Sequence, residues 1–472
     1  MSEPESNVPA AQNHFDRGMA FFEEEKWDSA IVEFTNAIGF DPNFAIAYHY
    51  RGNSYHNIGA SSSAIADYGE AIRLKPCNVG THFCRGYSYG RLGEFGRAIA
   101  DFTEAIRLDP TDPEPLYERA VAYAKMGECD TAIADAEEAI RLDPNCAEAY
   151  KARGVVYGNN GDYDRSIADF TEAIRLDPNL HQIFHFRASA YLRLGNYNLA
   201  IADLNEAIRL DPFYADAYCD RSAAYLLKGD LKLAMADSSR AIRLAPNNAT
   251  AYDNRGNVYA EKRKFQRAIA DYSKAISLDP GYAIAIYNRG RAYYLKGMLN
   301  SAIADYSTAI KLNPKYANAY IGRAGAYHLK RNFSGAIKDC NRAIKLAPNY
   351  ILAHSNRGVI HFDMQKYDSA ILDYSEAIRL EPNLASAYLN RGNAYDKKGN
   401  YHLAIADYTE AIRLEPKFGG AYCNRGLTYQ KMGETVAAEQ DFARAKELGY
   451  GGKLTVVGLF KAGLNTLAGF FR

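Results

Sequence analysis

Twelve prolines, Pro42, Pro76, Pro110, Pro144, Pro178, Pro212, Pro246, Pro280, Pro314, Pro348, Pro382 and Pro416, stand 34 residues apart without one slip. A fixed period of that size is the mark of stacked supersecondary units, so dividing the 472 residues into ordinary domains by length would mislead. Within a period the pattern is helical. In 45–76, "AIAYHYRGNSYHNIGASSSAIADYGEAIRLKP", Tyr48, Gly52 and Tyr55 share one helical face. Gly59 breaks the chain, Ala64, Ile65, Tyr68, Ala71, Ile72 and Leu74 form a second face, and Pro76 prevents continuation. Each unit is therefore a hairpin of two short helices. Neither can bury its apolar face alone, so neighbours must stack.

Gly52, Tyr55, Ala64, Tyr68, Ala71 and Pro76 fall where the tetratricopeptide repeat family has Gly, Tyr, Ala, Phe or Tyr, Ala and Pro, and the chain resembles that family. Thirteen repeats fit residues 11–450, after a polar tail of 1–10; the last ends "KELGYGG", with Tyr450 where Pro is due. The resemblance implies an all-α fold, a right-handed α-solenoid of helix-turn-helix repeats. It also implies a concave groove lined by each first helix, and work as a protein-interaction scaffold or adaptor.

One departure from the family is systematic. Where Leu usually precedes the Gly, this chain has Arg in every repeat, from Arg17 and Arg51 to Arg425. An acid follows each sixteen residues later, from Glu33 and Asp67 to Asp441. A ligand site needs asymmetry, so this regular pattern reads as a ladder of ion pairs between adjacent helices. The repeated text builds the frame, and function is expected where the repeats differ.

By the resemblance, the residue before each Arg, and one a turn further on, face the groove. In the last six repeats these include Asn254, Asn288, Asn356, Asn390 and Asn424, with Asn257 and Asn393 one turn along. An amide both donates and accepts, so a spaced row can hold a peptide backbone whatever its side chains. The row is similar to the asparagine ladder of O-linked N-acetylglucosamine transferase repeats. The N-terminal repeats differ: Phe15, Met19, Tyr50, His56, Tyr87 and Tyr117, with Phe22, His49 and Phe83, suit an amphipathic helix or an apolar peptide. The Lys and Asn pair with which some chaperone-binding relatives grip a terminal carboxylate is missing, because Lys151 faces Val155.

Lys+Arg and Asp+Glu are both 56, which speaks against a nucleic-acid partner. Seven scattered Cys without CxxC read as free thiols of a cytoplasmic protein. No phosphate loop, zinc motif or catalytic constellation occurs, so no enzyme, metal or cofactor is expected. His181 and His185 sit a turn apart without a third ligand, and His354 with His361 reads as a packing substitution. Residues 451–472, "GGKLTVVGLFKAGLNTLAGFFR", carry Val456, Val457, Phe460, Leu464, Leu467 and Phe471 on one face. They are expected to cap the array, with membrane contact and self-association as rivals. The expectation is a non-catalytic scaffold binding peptide segments. The alternatives are a self-assembling or membrane-peripheral protein using that tail, and a regulatory subunit of a separate enzyme.

Overall fold

The computed structural model describes residues 8–450, and the expected capping helix at 451–472 lies outside them. Among the described residues there are twenty-six helices in consecutive pairs and no strand, an α-solenoid of thirteen hairpins. The first helix, Val8–Glu23, starts inside the segment assigned to the polar tail. The chain divides into two compact units, Met1–Ala217 and Tyr218–Arg472.

In the Met1–Ala217 unit, repeat two shows how sequence becomes hairpin. Its helices run Ala45–Asn57 and Ser61–Leu74. Gly59 joins them at φ 80°, a left-handed conformation that costs a side-chain-bearing residue about 1–2 kcal/mol. The second helix stops two residues before Pro76, as the ring of that proline requires. A methyl group on Gly52 would stand 2.7 Å from the ring of Tyr68, so only glycine lets the two helices close on that ring. Ala47, Ala64 and Ala71 are buried beside it, and small residues set the close spacing.

The arginine expectation is met in every repeat: all thirteen arginines, from Arg17 to Arg425, reach their acid on the paired helix. Arg51 donates from Nε and Nη2 to the two carboxylate oxygens of Asp67, each at 2.7 Å. Its Nη1 donates to Thr35 Oγ1 at 3.1 Å, on the second helix of the preceding repeat. The guanidinium also lies 5.4 Å from the Tyr48 ring centroid. One planar cation thus fastens three helices, which a lysine ammonium could not do in this geometry.

The Tyr218–Arg472 unit repeats this frame. Arg289 bonds both Asp305 oxygens at 2.8 Å and Ser273 Oγ at 3.1 Å. Here the first helices are more deeply packed. Ala283–Leu295 buries eight residues, Tyr287, Asn288 and Arg291 among them, where Ala45–Asn57 buries three. At three turns of this unit Arg263, Arg331 and Gln365 take the left-handed conformation that glycine takes elsewhere, with φ of 56°, 59° and 60°.

Candidate peptide-binding cavity

The first helices of the first five repeats, Val8–Glu23, Ala45–Asn57, Val79–Arg91, Glu114–Met126 and Ala147–Asn159, enclose a cavity of about 600 Å³. Its walls come from a few fixed places in the 34-residue period. Phe83, Tyr117 and Lys151 share one place, Cys84 and Glu118 the next, Asn53 and Tyr87 a third, Phe22 and His56 a fourth, and Glu114 and Glu148 a fifth. Tyr68 reaches in from a second helix, and its hydroxyl donates to Asn53 Oδ1 at 2.7 Å.

The aromatic wall is continuous. His56 and Tyr87 ring centroids are 5.5 Å apart, Phe83 and Tyr87 6.4 Å, and Phe83 and Phe102 5.8 Å. Tyr87 keeps 41% of its surface exposed, unusual for so large a ring on a packed helix. Burial, then the Arg91 guanidinium, holds the His56 imidazole below its usual range, so it is neutral at pH 7. The Cys84 thiol is pushed up to about 11 by burial, then by Glu114, which makes it no nucleophile.

The lining also carries acids, Glu114, Glu118 and Glu148. The Lys151 ammonium pairs with Glu148 on its own helix. Tyr117 Oη donates to Glu114 Oε1 at a long 3.3 Å. Burial lifts the Glu118 carboxyl to about 7, with Glu148 and Glu114 adding to the shift and Lys151 opposing it. No described side chain donates a hydrogen bond to Glu118 or forms an ion pair with it. A smaller cavity of about 240 Å³ shares Tyr87 and Glu118 and carries Arg91 and Lys125 on its own wall.

Of the nine aromatic, His and Met positions named in the N-terminal repeats, the structure gathers Phe22, His56, Phe83, Tyr87 and Tyr117 at the cavity. Phe15 and Tyr50 lie elsewhere: Phe15 packs on Phe34, Phe44 and Tyr50, with centroids 5.6, 5.1 and 5.9 Å away. Both rings fill the joint between repeats one and two. Met19 is half-buried in the first helix and outside the lining. Glu114 and Glu148 were missed. Their signal was two acids at one place in successive repeats, where the flanking repeats have Gly80 and Gln182.

The asparagine row occupies the interior of the other unit. Asn254, Asn257, Asn288, Asn356, Asn390, Asn393 and Asn424 are all buried, none more than 8% exposed. Asn254 Nδ2 donates to Cys219 O at 3.0 Å, Asn288 Nδ2 to Asp253 Oδ1 at 3.0 Å and Asn424 Nδ2 to Asn393 Oδ1 at 2.8 Å. Each bond joins the first helices of neighbouring repeats. Tyr272 and Tyr408 hydroxyls donate to Asn257 and Asn393 at 2.8 and 2.9 Å. Asp253, itself buried, accepts from both Asn257 and Asn288, and burial lifts it to about 6 against those two bonds.

His185 Nδ1 and the Tyr214 hydroxyl are hydrogen-bonded at 2.7 Å, while His181 stacks edge-on against the same Tyr214 ring. His354 and the Pro348 carbonyl, and His361 and Asp373, are hydrogen-bonded at 3.0 and 2.8 Å. Among the described residues no group of three or more metal-ligating side chains forms, and no helix is long and apolar enough to cross a membrane. None of the seven cysteines is in a disulfide.

A family profile described as TPR repeat matches residues 18–59, 91–127, 188–229, 256–297, 290–330 and 360–399, half of the chain by itself. Others described as tetratricopeptide repeat match 117–181, 215–248, 317–350, 385–418 and 407–440. A search of curated protein sequences returns no match. Among solved structures, the APC/C hetero-tetramer Cut9–Hcn1 is similar with a TM-score of 0.53 at 15% identity, over 96% of this chain and 95% of that one. A tetratricopeptide repeat protein from Parabacteroides merdae gives 0.47 at 19%, over 53% and 99% of the two chains. Yeast Tom70 gives 0.43 at 17%, over 93% and 96%. At 15% identity the likeness to Cut9–Hcn1 is one of fold alone.

Proposed function

The chain belongs to the tetratricopeptide repeat family, and from that premise we propose that it is a non-catalytic scaffold that holds a segment of another protein in the cavity of the Met1–Ala217 unit. Proteins built of these repeats generally bind other proteins or peptides. The observation that carries the reading is the cavity: about 600 Å³, crossed by five successive first helices, with exposed aromatic surface on one wall. Pockets of roughly 300–1,000 Å³ lined by aromatic groups and a few polar ones are the usual form of a binding site. Buried aromatic anchors supply most of the affinity in such interfaces.

In the other unit we read the asparagine row as part of the frame. The amide donors of Asn254, Asn257, Asn288 and Asn424 are already committed. A peptide backbone could claim them only by breaking bonds between repeats. On this reading the likeness to the ladder of O-linked N-acetylglucosamine transferases is one of spacing. The free thiols fit a reducing compartment, and we place the protein in the cytoplasm.

The test is to pan a random-peptide display library on the full chain. Enriched peptides are then measured against a Tyr87→Ala, Tyr117→Ala variant whose helicity is checked by circular dichroism. The proposal expects a loss of about tenfold or more, the effect of removing aromatic anchors worth about 1.4 kcal/mol or more. Peptides that bind both proteins equally would place recognition elsewhere.

A further inference from the structure

The cavity's charge says what kind of segment it takes. Three carboxylates, Glu114, Glu118 and Glu148, face it, against one ammonium, Lys151, which is already paired with Glu148. His56 adds no charge at neutral pH. Glu114 and Glu118 therefore make no ion pair of their own, Lys151 acting on Glu118 only from beyond contact, and they stand beside the Tyr117 ring on the same helix. Arg91 and Lys125 stand at the adjoining smaller cavity, and neither makes an ion pair with Glu118. Holding acids together in a half-buried cleft costs free energy, and a cation brought into it returns that cost.

We propose that the segment held in this cavity is basic: a lysine or arginine side chain of the partner protein lies against Tyr87 and Tyr117 and is met by Glu114 and Glu118. The inference rests on the reading above and adds the chemistry of the partner. An alkyl stem on the rings and a charged head on the carboxylates beside them use both kinds of lining group, and the ring faces attract the cation as well. Neighbouring helices pack about 8–10 Å apart. A site touched by five successive first helices is longer than one side chain, so a peptide rather than a free amine fills it. The occupant is a segment with a basic residue among apolar ones. The lifted Glu118 carboxyl agrees with an acid waiting for a counter-ion.

The same library experiment tests this on the full chain, read by peptide sequence. Enriched peptides are expected to share lysine or arginine. Replacing that residue by norleucine or citrulline, or making Glu118→Gln or Glu114→Gln, is expected to weaken binding about tenfold. Added salt is expected to weaken the parent peptide and not the neutral one. Glu118→Lys is expected to recover binding to a peptide whose basic residue is changed to glutamate, which separates charge from misfolding. Neutral or acidic peptides that need Tyr87 and Tyr117 but ignore Glu118→Gln would overturn the basic segment and leave the groove reading standing. Peptides indifferent to all four residues would overturn both. Displacement of the enriched peptides by spermidine at equal concentration would overturn a protein segment as the occupant.

Discussion

Glu118 and Asp253 are both carboxylates on first helices, one in each unit, and burial lifts both above the usual range, to about 7 and about 6. What surrounds them differs. Asp253 is closed in and accepts from two amides, Asn257 and Asn288. Glu118 looks into a cavity and accepts from nothing. Asp253 occupies the same place in its repeat as Tyr117, so one place in the period is a wall of a cleft in one unit and a hub of packing in the other. The frame is shared and the filling is not. On the proposed reading, a unit whose first helices bind each other through amide donors has committed those donors to packing, whereas one whose acids make no ion pair beside the exposed Tyr87 ring has kept its groups for a partner.

The contrast can be broken by substitution, beginning with the shared frame. Arg119→Ala and Arg289→Ala each remove a bidentate ion pair and a tie to the preceding repeat, and are expected to cost about 3 kcal/mol in either unit by urea denaturation. Arg289→Ala should leave peptide binding intact. If only one of the two arginines mattered, the frame would not be shared. Next, Asn254→Ala, Asn288→Ala and Asn424→Ala together are expected to lose about 3 kcal/mol, roughly 1 per buried hydrogen bond, with unchanged affinity for enriched peptides. Loss of peptide without loss of stability would return recognition to the asparagine row.

The two lifted acids give opposite signs. A carboxyl whose folded pKa exceeds its unfolded one binds more protons when folded, so stability falls as pH rises from about 4.5 to about 7 across the Glu118 window. Glu118→Gln is therefore expected to raise stability at pH 8 by about 1–2 kcal/mol and to change nothing at pH 4. Asp253→Asn is expected to lower stability at pH 8 instead, because its new amide donor would face the Asn257 or Asn288 donor. Thermal melts at both pH values check the pair. The smallest effect is at a turn: Arg331→Gly relieves a left-handed arginine and is expected to gain up to about 1 kcal/mol.

Much of this was legible before any coordinates. The 34-residue period, the Gly59 turn, the Gly52 and Tyr68 contact and the Arg51 to Asp67 pairing all lie within one unit of text and its copies, where local chemistry decides. His56, Tyr87 and Tyr117, which line the cavity, could be picked out as aromatic groups at groove places, but nothing within one repeat separates them from Phe15 and Tyr50, which pack between repeats. The asparagines were harder to read. Whether an Asn faces a groove or its neighbour's Asp253 depends on how closely successive first helices approach, and no single repeat encodes that distance. Glu114 and Glu148 escaped because the acids look ordinary on a helix's first turn, where the dipole favours them anyway.

The arginine ties carry one more consequence. Each guanidinium reaches sixteen residues forward to its acid and, in at least eight repeats, sixteen back to a hydroxyl or amide such as Thr35, Ser273 or Asn341. Cutting out or inserting one whole period at equivalent points leaves every such offset as it was. Any other length of insertion inside a period puts the wrong residue under an arginine. The chain's length is in this sense quantised: genetic change can lengthen or shorten the array a hairpin at a time, and intermediate lengths meet a mismatch at once.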